Sequence, residues 1–492
     1  MTIQPNIINL HIDDENNNKN EPLESIETES DDMDSEITVP FYEKISESEK
    51  QDIIESIHFC IEDYLKTDIQ KMAKPNFHTE MLDEITHILF QSLQEANIFE
   101  DSDYDSLFDL VEIECSQWFE NNHDCPMRTI PHYKKNVYIE EYELTDDFAI
   151  PYITEKIETL RKWNEASPKQ RTPEWYQRRY NMMTASNLWQ ALNTDAQKNR
   201  LIYEKCKPLD FGSGGGGRDP SGSENKWINT DTSLHWGVKY EPLTVMVYEK
   251  ITGVKIEEFG CIQHPAYPFI GASPDGIVTN VESPLYGRML EIKNIYNREM
   301  DGIPSEAYWI QTQIQMECCD LDACDFVETR FKEYPTESEF WEETDPDRIR
   351  GIILQFVVRD GSTNVPVYKY IPLDITINKT AVTEWINSTK TEMLDQGYCI
   401  LAKIYWYLDE IAISIVLRNS TWFQSVLPVI KETWETIEKE RVTGYEHRAA
   451  KKRIQTDVVV VDSVDGTDSH FIKNMPKSKN GGICLVKIKE GE

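Results

Sequence analysis

The sequence predicts an α/β core set between two helical segments, and three observations predict it. Apolar residues recur at helix spacing before residue 130. Two short runs, Phe326 to Phe331 and Ile352 to Val358, are β-rich. Between residues 273 and 293 a tight turn leads through two apolar residues and a loop into an alternating run. Residues 1–38 are rich in Asn, Asp, Glu and Ser, the composition of a disordered acidic tail. Residues 39–135 carry three stripes: Ile53, Ile54, Ile57 and Ile61; Met81, Ile85, Ile88 and Leu89; and Leu107, Leu110, Val111 and Cys115. They predict a helical domain without nameable chemistry. Residues 136–170 connect, with a helix from Ile153 to Trp163. The core is expected over 171–374. Within it, Phe211 to Ser223 is a Gly/Ser run that lacks the lysine, the Ser/Thr and the helix of a phosphate-binding loop, so it reads as a flexible loop. Residues 375–454 are expected to be helical, from Trp406, Leu408, Ile411, Ile415 and Leu417, then Trp422, Trp434 and Ile437. A tail with a β-like Val458 to Val461 occupies 455–492.

A chain of 492 residues exceeds one ordinary core, so two or three domains are expected. No run is apolar enough to span a bilayer, and the N-terminus does not read as a secretory signal. The ten cysteines include no CxxC pair, which suits a reducing compartment; Cys318, Cys319 and Cys324 form a tight group without a metal-ligand pattern. A net charge of −37 argues at first against a nucleic-acid partner. The charge is uneven, however: residues 1–50 hold 14 acids and 3 lysines, whereas residues 171–300 hold 15 acids and 15 bases.

The chemistry concentrates in Ser273-Pro274-Asp275-Gly276 and Leu290-Glu291-Ile292-Lys293. On a strand, alternation puts Glu291 and Lys293 on one face and Leu290 and Ile292 on the other. A hairpin would bring Asp275 to them. Two carboxylates and an ammonium at one point suit a Mg²⁺ site that hydrolyses phosphodiesters. The carboxylates hold the hard cation, and the lysine orients or helps deprotonate the attacking water.

Further segments accompany this pair in a fixed order. Pro173-Glu174-Trp175-Tyr176 runs through Arg179 to Met183-Thr184-Ala185-Ser186. His235-Trp236-Gly237 runs through Tyr240-Glu241-Pro242. Gly271 and Ala272 precede Ser273, and Tyr308 leads to Gln311, Gln313 and Gln315-Met316. Together, over residues 171–335, they resemble the lambda-exonuclease or YqaJ-type viral recombinase family of the PD-(D/E)xK nuclease superfamily. The resemblance implies a restriction-endonuclease-like fold, with a mixed central sheet flanked by helices. It implies Mg²⁺ as cofactor, with Mn²⁺ substituting, and Asp275, Glu291, Glu241 and the Ile292 carbonyl as metal ligands. Lys293, Glu291, Asp275 and Gln313 are the implied catalytic residues, with Gln311 second to Gln313. Arg179 and Ser186 would hold a terminal DNA 5′-phosphate, since guanidinium pairs with phosphate and a serine at a helix start donates to an oxyanion. Arg178 stands as the alternative to Arg179. Glu241 also reads as an acid at a helix N-terminus before Pro242, and His235 as a packed histidine.

The implied activity is a metal-dependent deoxyribonuclease, a 5′-to-3′ exonuclease on duplex DNA in viral recombination or repair. The rivals are an endonuclease, a Cas4-like end-processing nuclease, and a non-catalytic DNA-binding or virion protein that keeps the fold. The implied partners are duplex DNA with free ends, a single-strand annealing protein or helicase, and further copies of the chain, with no membrane. The implied setting is intracellular: the host cytoplasm or a viral replication compartment, or the virion itself.

Overall fold

Three amphipathic helices lead the described chain: α1 (Glu47–Asp68), α2 (Phe77–Glu95) and α3 (Tyr104–Asn121). A capping box starts α1: the Glu49 amide donates to Ser46 Oγ, and the Glu49 carboxylate accepts from the Ser46 amide at 2.8 Å. The expected stripes face inward, with Ile57, Ile61, Met81, Ile85, Leu107 and Val111 buried, although Ile88 is exposed. The computed structural model describes residues 45–128, 149–170, 172–209, 230, 232–359 and 365–450. The acidic tail, the Gly/Ser run and the C-terminal tail lie outside the described residues.

Next come α4 (Ala149–Glu165), α5 (Pro173–Tyr180), β1 (Met183–Thr184), α6 (Ala185–Leu192), α7 (Asp195–Cys206) and α8 (Ser233–Thr252). The short strands β2 (Ile256–Glu257), β3 (Ile262–Gln263), β4 (Ile270–Ala272) and β5 (Gly276–Val278) follow. Then come β6 (Met289–Asn294), α9 (Glu306–Cys319), β7 (Ala323–Glu333), α10 (Glu337–Glu342), β8 (Arg350–Val358) and β9 (Val367–Tyr370). The last elements are α11 (Lys379–Asp395), β10 (Tyr398–Leu417) and α12 (Ser420–Thr443).

The main sheet has the order β2-β5-β6-β7-β10-β8-β9, and a small sheet has the order β1-β4-β3. In the main sheet β6 and β7 run parallel and the other pairs run antiparallel, so the sheet is mixed. Parallel neighbours need a crossover, and α9 supplies it. The mixed sheet flanked by helices is the predicted α/β core.

Alternation along β6 sorts its side chains. Leu290 and Ile292 pack with Tyr240, Leu243 and Val247 of α8 on one face of the sheet. Each such buried aliphatic side chain contributes roughly 1.5–3 kcal/mol. Met289 joins Trp309, Ile310 and Ile314 of α9 on the other face. Glu291 and Lys293 therefore point toward α9.

One expectation is corrected here. The segment holding Trp406, Leu408, Ile411, Ile415 and Leu417 is not a helix but β10, a strand of 20 residues in the interior of the main sheet. Its β-branched and aromatic side chains suit a pleated surface, and pairing with both β7 and β8 decides the outcome. The helices expected on either side of it are present as α11 and α12.

The N-terminal helices share one apolar core with α6, α9 and α12. A polar node stitches them together. Asn419 Nδ2 meets the Pro126 carbonyl at 3.3 Å, Met72 Sδ and Cys125 Sγ. Buried Arg128 donates to the Ala73 and Pro304 carbonyls. Among the described residues no helix is long and apolar enough to cross a membrane.

Candidate active site

The hairpin of β5 and β6 puts Asp275 beside Glu291. Gly276 pairs with Leu290, and the Asp275 amide donates to the Leu290 carbonyl at 3.0 Å. A Cβ on Gly276 would meet Ile256 Cγ2 at 2.1 Å, so a glycine lets β2 close over this turn. Asp275 Oδ2 then accepts from the Ile292 amide at 2.7 Å. Ile292 thus touches this acid through its N–H, whereas the sequence reading used its carbonyl.

Glu291 is 1% exposed, and polar groups hold both of its oxygens. Oε1 accepts from Gln311 Nε2 at 2.7 Å and from Lys293 Nζ. Oε2 accepts from Gln315 Nε2 at 2.6 Å. The same Gln315 nitrogen reaches the Ser273 carbonyl at 3.3 Å, tying α9 to the turn before Asp275. Lys293 Nζ also lies 3.5 Å from Gln311 Oε1 and 4.6 Å from the centre of the Tyr308 ring.

Charge in this cluster is unbalanced. Burial, then the carboxylates of Glu291 and Glu241, hold the Asp275 carboxyl well above the usual range, against the opposing pull of Lys293. Burial presses the Lys293 ammonium downward, but Glu291 and Asp275 outweigh it and the net direction is up. Lys293 is therefore a firm cation at neutral pH. Glu241 sits in the middle of α8, just before Pro242, and not at a helix N-terminus. It is exposed and acts on Asp275 through its charge. Among the described residues, no three His, Cys, Asp or Glu side chains converge closely enough to hold a metal by themselves.

Gln313 is a correction. Its Nε2 donates to the Leu417 carbonyl and its Oε1 accepts from the Asn419 amide, both at 2.8 Å, on the far side of α9 from Glu291. Residues four apart share a helix face and residues two apart do not, so Gln311 and Gln315 face the acids. Gln315 is legible from that spacing, as the partner of Gln311 one turn on.

Arg179 lies next to the acids. Its Nη1 is 3.4 Å from Ser273 Oγ, two residues before Asp275, and its Nη2 is 3.4 Å from Thr184 Oγ1. Its guanidinium is 4.6 Å from the Trp175 ring centre. Ser186 Oγ is 3.3 Å from Thr184 Oγ1. Thr184, not Ser186, caps α6, with Asn187 completing the capping box. Arg178 turns the other way, donating to Ser167 Oγ at 2.9 Å and lying over Trp163. His235 packs against Tyr368, with Nε2 2.6 Å from its hydroxyl. Cys318, Cys319 and Cys324 are buried free thiols whose pKa values burial pushes up.

Residues 174–322 match the family model described as the YqaJ-like viral recombinase domain. An uncharacterized protein of Acanthamoeba polyphaga mimivirus is 27% identical over 303 residues, which are 55% of this chain and 52% of that protein. The chain thus spans about half the length of that curated relative. Among solved structures, an alkaline exonuclease from Laribacter hongkongensis is 18% identical, covering 56% of this chain and 95% of its own, with a TM-score of 0.29. A phage-related exonuclease from Haemophilus somnus 129PT is 14% identical, covering 53% of this chain and 93% of its own, with a TM-score of 0.27. The matched residues 174–322 hold Arg179, Asp275, Glu291, Lys293 and the glutamines of α9, so the likeness to the YqaJ-like viral recombinase domain falls on the candidate site.

Proposed function

We propose that the chain is a divalent-metal-dependent deoxyribonuclease that hydrolyses DNA phosphodiesters. We further propose that it works as a 5′-to-3′ exonuclease on duplex DNA in viral recombination or repair. One observation carries the reading: Asp275, Glu291 and Lys293 meet beside α9, and an arginine with two hydroxyls adjoins them through Ser273. The viral family and the mimivirus relative support a role on viral DNA.

The residues fit a Mg²⁺ ion. Asp275 is crowded by two further carboxylates and offset by one lysine, a charge excess that a dication relieves. Mg²⁺ is satisfied with one or two carboxylates and several waters, which matches Asp275 and Glu291 with Glu241 nearby. When bound, the ion would supply positive charge to the scissile phosphate and acidify a water; Mn²⁺ would serve as well.

The chain's own groups do the remainder. The Ile292 amide fixes Asp275, and Gln311 and Gln315 orient Glu291, so neither carboxylate needs to reorganise on binding. Lys293, kept as an ammonium, donates from Nζ to the attacking water or to a phosphate oxygen; a cation held that way is a donor and not a base. Arg179, Thr184 and Ser186 would bind a terminal 5′-phosphate and set the scissile bond one step inward.

Digestion of end-labelled linear and closed circular duplexes, with and without 5′-phosphates, tests the reading. Linear DNA with 5′-phosphates should be degraded fastest, and EDTA should stop cleavage. Ready cutting of circles at equal rates on both ends would make the enzyme an endonuclease. Binding without hydrolysis in Mg²⁺ or Mn²⁺ would make it a non-catalytic DNA-binding protein.

A further inference from the structure

Two cations brace the turn that presents Arg179. Lys205, on α7, donates from Nζ to the carbonyl oxygens of Arg179 at 2.8 Å and Met182 at 2.6 Å. Arg441, on α12, donates from Nη2 to the Tyr180 carbonyl at 2.7 Å. It also reaches the Lys205 carbonyl, through Nε at 3.0 Å and Nη2 at 2.9 Å. Its guanidinium lies 3.9 Å from the centre of the Tyr180 ring. One lysine side chain thus spans residues 179 to 182, and one arginine locks the backbone of that lysine.

This arrangement sets three cations close together. Lys205 faces Arg179 on α5, Arg441 on α12 and the Cys261 thiol ahead of β3, with Glu204 on its own helix. Glu204 is engaged by Arg200 at 3.1 Å. Nearby, the Tyr180 hydroxyl donates to the Cys206 carbonyl at 3.4 Å, and Glu440 is held by Arg448. Burial, then Arg179 and Arg441, push the Lys205 ammonium down to about 7. A partly buried like-charge cluster carries a cost, and an anion beside it lowers that cost.

We infer that Lys205 is a positioning residue for the terminal 5′-phosphate: it holds the 179–182 turn so that Arg179 faces the hydroxyls of Thr184 and Ser186, and its charge adds to the field there. Arg441 supports the same turn from outside the matched family segment. The inference rests on the 5′-phosphate reading proposed above.

The test uses the full chain and compares cleavage rates on linear duplexes with 5′-phosphate and 5′-hydroxyl ends. The ratio of the two rates cancels effects on the chemical step. Between pH 7 and 9 the terminal phosphate is already mostly doubly charged, since its second pKa is about 6. The wild-type ratio should exceed one and fall across this range as Lys205 loses its proton. Lys205→Met should lower the ratio at pH 7 by about tenfold, the scale of one charge-assisted hydrogen bond, and flatten its pH dependence. Lys205→Arg should keep the ratio high and flat. A Lys205→Met variant with the wild-type ratio and pH profile would overturn the inference. If that variant fails to fold, Lys205→Arg decides: a ratio that still falls with pH would overturn it. A wild-type ratio of one would instead defeat the underlying 5′-phosphate reading.

Discussion

Glu291 on β6 and Asp325 on β7 are both almost fully buried on neighbouring strands, and their surroundings differ in how charge is matched. Asp325 receives Arg288 Nη1 at 2.5 Å on one oxygen and the Tyr248 hydroxyl at 2.6 Å on the other. One carboxylate meets one guanidinium, with a neutral donor completing the shell. Glu291 shares one lysine with Asp275, with Glu241 acting on the same spot, and its remaining partners are neutral amides. A buried acid that only holds the fold needs its own cation, and Asp325 has one. An acid cluster with surplus negative charge is what the proposed metal-binding role requires.

The contrast can be broken by substitution, and the largest effect should come from the unbalanced cluster. Asp275→Ala or Glu291→Ala should take cleavage below detection while the protein stays folded, because a hard cation loses an oxygen ligand that no neighbour replaces. Near wild-type cleavage by either variant would remove the site from the chemistry. In the balanced pair, Arg288→Met leaves Asp325 buried without its cation and should cost about 3–5 kcal/mol in urea unfolding. An unchanged midpoint would erase the distinction between the two clusters.

The two faces of α9 sharpen the same comparison. Gln313→Ala should destabilise by about 1–3 kcal/mol, since it strips the partner from the buried Asn419 amide. Gln311→Ala should instead lower the cleavage rate with little change in stability. The reverse pattern would return Gln313 to the active site.

The smallest effect concerns pH. In metal-free protein Asp275 titrates above its ordinary value of 3.8, so from about that pH upward the native state keeps a proton that the unfolded chain has lost. Stability from this group is therefore full below that value and is lost as pH rises through the folded pKa. Asp275→Asn should flatten that part of the profile in chelator-treated samples, and added Mg²⁺ should do the same for wild type. Identical profiles for variant and wild type would mean that the crowding of charge is not felt.

The hairpin was legible because its signals are local: a Ser-Pro-Asp-Gly turn, then strict alternation through Glu291 and Lys293. The spacing of Gln311 and Gln315 is equally local: four apart on a helix, they share one face. What escaped depends on distant partners. Trp406, Leu408, Ile411 and Ile415 sit at intervals that suit a helix face, and only pairing with β7 and β8 makes them a strand. Asp325 and Glu328 look like ordinary strand acids until Arg288 and Arg298 arrive from loops 37 and 30 residues earlier. Nothing in Thr-Ala-Ser says which hydroxyl starts the helix, so the role of Thr184 is not legible from sequence. Arg178 and Arg179 were inseparable until Trp163 and Trp175 claimed one each.

The node around Asn419 bears on how this protein could be engineered. Gln313 belongs to the helix that presents Gln311 and Gln315, and its amide is fastened to the Asn419 backbone. Asn419 in turn rests on Met72 and Pro126. The stretch that matches the family model is thus not a transplantable cassette. Grafted alone into another scaffold, α9 would bring a naked back face, with Trp309 and the Gln313 amide stripped of their cover. Gln311 and Gln315 would then ride on a helix free to shift, so a working graft needs Met72, Arg128 and α12 carried along with it.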